Sequence, residues 1–214
     1  MTSLPTASTA NDLPIIDLSE KIIHGIKVKF NDGVWLAEEQ DVTGKKLLVL
    51  YLTRIVQHWQ GSQPIETYID GKDVLPDVDK LNDAIPKSEW ETWESGDLKE
   101  PWVLSYVVYM FDEDSAELYT HVNSTFGLKL AYDRLNDKIK WNSSIKGQPL
   151  RPYVRLSSTR MKTGRGTKMR PDFRTEDGWV VLGGSAVARL EPAPPLVKVA
   201  PPTTEEAMRD SIPY

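Results

Sequence analysis

The ten residues from Trp102 to Phe111, Trp-Val-Leu-Ser-Tyr-Val-Val-Tyr-Met-Phe, constrain the fold most. Aromatic and β-branched side chains fit a pleated, half-buried surface, so the run reads as a strand. Asp112-Glu113-Asp114-Ser115 then supplies turn chemistry, and Glu117 to Val122 resumes the strand pattern. The pair is a hairpin and commits the chain to an antiparallel sheet. A second hairpin is signalled by apolar positions alternating through Ile26 to Phe30 and Val34 to Leu36 around Asn31-Asp32-Gly33. Leu47 to Trp59 is rich in Leu, Val, Ile and Tyr and stops at Gly61-Ser62-Gln63-Pro64. Periodicity alone does not separate a long strand from a helix there; we read a strand.

From Leu128 the period changes. Leu128, Ala131, Tyr132, Leu135 and Ile139 fall on one face of a helix, with polar residues between. Pro152 to Ser158 reads as a strand, Thr159 to Pro171 as a polar basic loop, and Phe173 to Leu182 as a strand pair or a strand bent at Asp177-Gly178. Three strands, a helix and two strands form the element order of an OB-fold, a five-stranded Greek-key barrel with its helix between strands three and four. Other small α+β folds share that order. The expected organisation is a flexible N-terminal segment (1–24), an OB-like domain with an extra N-terminal hairpin (25–190), and a Pro-rich linker with an acidic tail (191–214). Residues 69–101, with Pro76, Pro86 and Pro101, form a long acidic insertion with short helical turns.

The 214 residues contain no cysteine, which removes disulfides and thiolate chemistry and is compatible with a reducing cytosol. No apolar run reaches the roughly 18 residues of a membrane span. Met1 to Asp12 lacks the basic and apolar regions of a secretory signal, so the expected location is the cytoplasm, that of the host if the chain is phage-encoded. Net charge is −5, which as a mean argues against a nucleic-acid binder. The distribution argues the other way. Asp70 to Glu100 holds ten acids and four bases, whereas Arg151 to Arg174 holds eight bases and one acid. A polyanion is the partner that such a basic stretch fits.

Arg160, Lys162, Arg165, Lys168 and Arg170 share the expected loop with Gly164 and Gly166, and Arg151, Arg155 and Arg174 flank it. In an OB-fold the loop between strands four and five borders the binding face. Single-strand binding also needs aromatic platforms, worth roughly 1–3 kcal/mol per stacked base. The candidates are Trp102, Tyr106, Tyr119, Tyr153 and Phe173, each of which suits a core better than a platform, since seven Trp and eight Tyr must largely be buried; exposure separates the two roles.

Enzyme motifs are missing. His24, His58 and His121 have no zinc-protease spacing, and Gly164-Arg165-Gly166-Thr167-Lys168 fits neither phosphate-loop pattern. The acids form no two-metal nuclease motif, and no cofactor or metal is implied. A non-enzymatic protein is expected.

The chain closes on Glu205-Glu206-Ala207-Met208-Arg209-Asp210-Ser211-Ile212-Pro213-Tyr214. This resembles the carboxy-terminal tip of bacterial single-stranded DNA-binding proteins, where acidic residues precede a terminal Ile-Pro-Phe. The family's tip docks other genome-maintenance proteins. Here Asp210, Ile212, Pro213 and Tyr214 match it, with Tyr214 in place of Phe and Ser211 in place of an acid. Trp59-Gln60-Gly61, Pro101-Trp102 and Met161 to Phe173 resemble segments of bacteriophage and prophage proteins of no established activity. Together these imply a phage-type single-stranded DNA-binding protein, largely sequence-independent, that recruits replication, recombination or repair proteins through its tip. A homo-oligomer is compatible with it, and no membrane is involved. The alternatives are an adaptor or host-takeover protein that uses the tip without binding DNA, and a nuclease whose acids are distant in sequence.

Overall fold

Why the first hairpin forms is visible at its turn. Strands β1 (Ile26–Asn31) and β2 (Val34–Ala37) pair antiparallel, and Asp32 and Gly33 between them take φ of 43° and 96°. Positive φ at both turn residues matches the twist of the strands they join. The computed structural model describes residues 21–181, without Arg165 and the side chain of Asp177. The expected N-terminal flexible segment up to residue 20, Arg165 and the linker and tail 191–214, with Asp210, Ile212, Pro213 and Tyr214, lie outside the described residues.

β3 (Gln40–Asp41) extends β2, and β4 (Lys46–Gln60) is the long strand expected around Leu47 to Trp59. β5 (Gln63–Ile69) folds back on the second half of β4. The acidic insertion follows as α1 (Val78–Asp83), a 3-10 turn (Lys87–Glu89) and the small hairpin β6 (Glu91–Thr92) and β7 (Leu98–Lys99). Asn82 pins it: its Nδ2 donates to the Trp102 carbonyl at 3.0 Å and its Oδ1 accepts from the Trp102 N–H at 2.9 Å. β8 (Trp102–Asp112) and β9 (Glu117–Asn123) are the hairpin that the β-prone run predicts.

The long helix is α2 (Phe126–Lys146), opened by the Thr125 hydroxyl accepting from the Leu128 N–H and closed by Gly147 at φ 65°. Left-handed backbone at that last position favours glycine. β10 (Leu150–Thr163) and β11 (Gly166–Val181) complete a sheet ordered β11-β10-β4-β8-β9-β1-β2-β3. β10 returns to lie beside β4, whose other neighbours are β8 and, at its second half, β5. β1 joins β9 in parallel, and the sheet curls into a half-barrel. The fold is mainly β.

Inside the curl, Val28, Trp35, Leu47, Val49, Val108, Met110, Leu156 and Phe173 pack against Leu128, Ala131, Tyr132, Leu135 and Ile139 of α2. The helix stripe read from the sequence is therefore the buried one. Trp35 Nε1 donates to the Ser157 carbonyl at 2.7 Å, and Gly44 and Lys45 exchange backbone bonds with Leu156, so the first hairpin reaches across to β10. A second cluster, with Leu48, Leu50, Ile55, Val107 and Tyr109, has Ile22 packed against it. Among the described residues no helix is long and apolar enough to cross a membrane.

One expectation changes. Thr159 to Pro171 is not a loop: β10 and β11 stay in register from Leu150↔Val181 to Thr163↔Gly166. β4 pairs with β10 only at Tyr153 to Arg155, so the strands run on as a two-stranded arm. Arg170 and Pro171 are still buried, against Gly127 of α2; only past Thr159 and Arg170 does the arm leave the core, and there backbone pairing rather than a buried face holds it, so the alternating apolar signal is absent. Of the two readings of Phe173 to Leu182, the bent single strand is the one seen: residues up to Val181 belong to β11. Its residues 176–178 stand opposite the single Tyr153, a bulge at the expected Asp177-Gly178 bend.

Candidate nucleic-acid interface

Directly opposed residues of an antiparallel pair project to the same face. Lys46 of β4 opposes Arg155 of β10, and Arg155 opposes Arg174 of β11. Three exposed cations thus form a row across three adjacent strands, about 10 Å from end to end at the usual strand spacing. Like charges so placed repel, and one acid offsets them: Glu176 Oε1 lies 3.0 Å from Arg155 Nε. That hydrogen bond, with the charges of Arg174 and Lys46 adding to it, holds the Glu176 carboxyl below the usual carboxylate range. With Glu113 at the neighbouring Tyr153 hydroxyl counted, three cations face two carboxylates, which leaves the row net positive by one charge.

Tyr153, two residues before Arg155, projects to the same face. Lys46 Nζ sits 4.3 Å from the centre of its ring, and its hydroxyl donates to Glu113 at 2.7 Å. Burial, with that bond second, pushes the phenol up to about 12. Gly178, in the bulge, comes so close to the ring that a Cβ there would lie 3.1 Å from Cδ2. A half-buried aromatic thus stands beside the cationic row, within reach of one phosphate chain's own base.

The other basic candidates separate by environment. Arg151 is half-buried; its Nε donates to the Leu50 carbonyl at 3.0 Å, at the residue where the β4–β8 register skips, and its Nη1 donates to the Leu150 carbonyl. Burial lowers its pKa, and its donors are committed to backbone. Arg170 is buried, 5% exposed, with Nη1 on the Pro171 carbonyl and its Cβ against Gly127, where no Cβ would fit. Both are structural, which corrects their assignment to an interface. Arg160, Lys162, Lys168 and Arg174 are exposed and in no ion pair among the described residues. Register puts Lys168 on the face of the row and Arg160 and Lys162 on the opposite face.

Four of the five proposed platforms are core. Trp102, Tyr106, Tyr119 and Phe173 are between 4 and 7% exposed. Trp102 stacks on His58 at 4.4 Å, Tyr106 meets Tyr132, and Phe173 meets Trp35. Their faces have no room for a base; of the five, only Tyr153 is partly exposed. Sequence reasoning missed Lys46, whose place depends on a pairing a hundred residues distant, and the exposed aromatics Trp93, Phe126 and Trp141. Lys45-Lys46 before a β-run was the one visible signal. Lys45 itself is taken by Asp112 at 2.6 Å.

Comparison with protein-family models, with curated proteins and with solved structures gives no match to this chain.

Proposed function

We propose that the protein binds single-stranded DNA without sequence preference, through the face that carries Lys46, Tyr153, Arg155, Arg174 and Lys168. The observation that carries this reading is the net-positive row Lys46–Arg155–Arg174 beside Tyr153. Cations at that density take up phosphates and release counterions, and a ring beside them stacks a base once the Lys46 ammonium moves to phosphate. Neither contact reads base edges. The fold we infer is an elaborated OB-type barrel, with β4, β8, β9, β10 and β11 as its five strands and the β1–β2 hairpin standing where the third and fifth would close. The segment Asp210 to Tyr214 is proposed, on its sequence alone, to recruit replication or recombination partners.

Fluorescence anisotropy of labelled oligo(dT), matched RNA and duplex, at several salt concentrations, tests the reading. Tight binding to oligo(dT) over duplex, falling steeply with salt, is expected. No binding even at low salt overturns it. That outcome favours the second reading, an adaptor without DNA affinity, to which the burial of four candidate platforms gives some weight.

A further inference from the structure

The arm has two faces, and both carry exposed cations. Beyond Arg155 the β10–β11 ribbon is flanked by no further strand among the described residues, and on the side opposite the row the turn at Gly33 lies against Ser158 and Met169. Past that contact, Arg160 and Lys162 project to one face, alternate residues about 7 Å apart along the strand. Lys168, opposite Met161, projects to the other, in continuation of Arg174. One backbone layer separates the two sets. A ribbon of this kind can hold two phosphate chains at once, one on each side, where a one-sided surface holds one.

We propose that the protein accelerates the annealing of complementary DNA single strands, with the Arg160/Lys162 face engaging a second strand while the Lys46–Arg155–Arg174 face holds the first. The inference rests on the single-strand reading above. Two strands repel each other over roughly a Debye length, about 8 Å at physiological salt, and cations between them lower that barrier. Holding both on one arm makes their encounter intramolecular and raises the effective concentration of each for the other. The ribbon ends at Thr163↔Gly166, so only the turn divides the strands at the tip.

The test follows duplex formation between two complementary oligonucleotides carrying a donor and an acceptor dye, with and without the full-length protein. The expected result is a second-order rate raised at least about tenfold at sub-saturating protein. Arg160→Ala with Lys162→Ala should keep oligo(dT) affinity and return annealing to the protein-free rate. Lys46→Ala with Arg174→Ala should weaken oligo(dT) binding and lower the annealing rate together. If wild-type protein binds oligo(dT) but leaves the annealing rate unchanged, the two-strand proposal fails while single-strand binding stands. If the Arg160/Lys162 variant anneals as wild type does, the second face is wrongly assigned. If nothing binds, the reading beneath both has failed.

Discussion

Arg151 and Arg174 carry the same charge into opposite surroundings. Arg151 satisfies the Leu50 carbonyl at a strand irregularity, whereas Arg174 faces solvent at the end of a cationic row. Arg151→Ala should therefore leave the salt dependence of DNA binding unchanged and lower stability by about 1–3 kcal/mol, the cost of an unsatisfied buried carbonyl. Lys46→Ala with Arg174→Ala should do the reverse: urea midpoint retained, and the slope of log K against log salt reduced by about 1.4, near 0.7 per lost phosphate contact. Equal slopes for the two variants would dismiss the row. His121 makes a second prediction at this scale. Its ring is buried edge-on to Trp35 at 4.8 Å, its Nδ1 is 2.9 Å from the Val28 carbonyl and so carries the hydrogen, and Nε2 has no hydrogen-bond partner among the described residues. Burial lowers its pKa from 6.5 to about 4. Between those values the unfolded chain binds the proton and the folded one does not, so stability rises with pH. Acidification from pH 7 to pH 4 should cost up to about 3 kcal/mol from this group. In His121→Phe, urea unfolding across that range should lose the same share of its pH dependence.

Among the elements, β1 depends on its entry. Gly25 has φ 64°, and a Cβ there would lie 2.1 Å from the Leu118 carbonyl oxygen, inside any contact distance. The neighbouring Thr120 hydroxyl bridges the His24 N–H and carbonyl, so the chain is held at this close approach as it begins its parallel pairing with β9. Gly25→Ala should lower stability by about 3 kcal/mol, read as a fall in thermal midpoint, because strain and overlap add. The hairpins and α2 were legible because each declares itself locally: a turn dipeptide between alternating apolar residues, or a stripe at helical spacing that ends buried. The arm was not legible, since from Arg160 to Met169 it has no buried face to impose alternation, and Arg170, which is buried, is a charged residue. The row was not legible either, because the opposition of Lys46 to Arg155 is set by register between strands far apart in sequence. Aromatic residue type pointed to packing more than to stacking, and at Trp102, Tyr106, Tyr119 and Phe173 packing prevailed. Alanine at Phe173 would cost about 3–5 kcal/mol of core packing, so lost binding there would report unfolding.

For the whole molecule, the arm also sets where the chain can be cut. Arg160, Lys162 and Lys168 are exposed on a ribbon held chiefly by its own ladder, the kind of segment that opens locally at low cost. Limited trypsin digestion should cleave there before it reaches the half-barrel, and saturating oligo(dT) should slow that cleavage. The nick would not release the pieces: β10 remains paired to β4 at Tyr153 to Arg155, and β11 to β10 from Leu150↔Val181 to Leu156↔Phe173. A native gel should then show one species where a denaturing gel shows two fragments. The protein can be severed at its tip and remain a single particle, its two chains joined by strand pairing and a shared core.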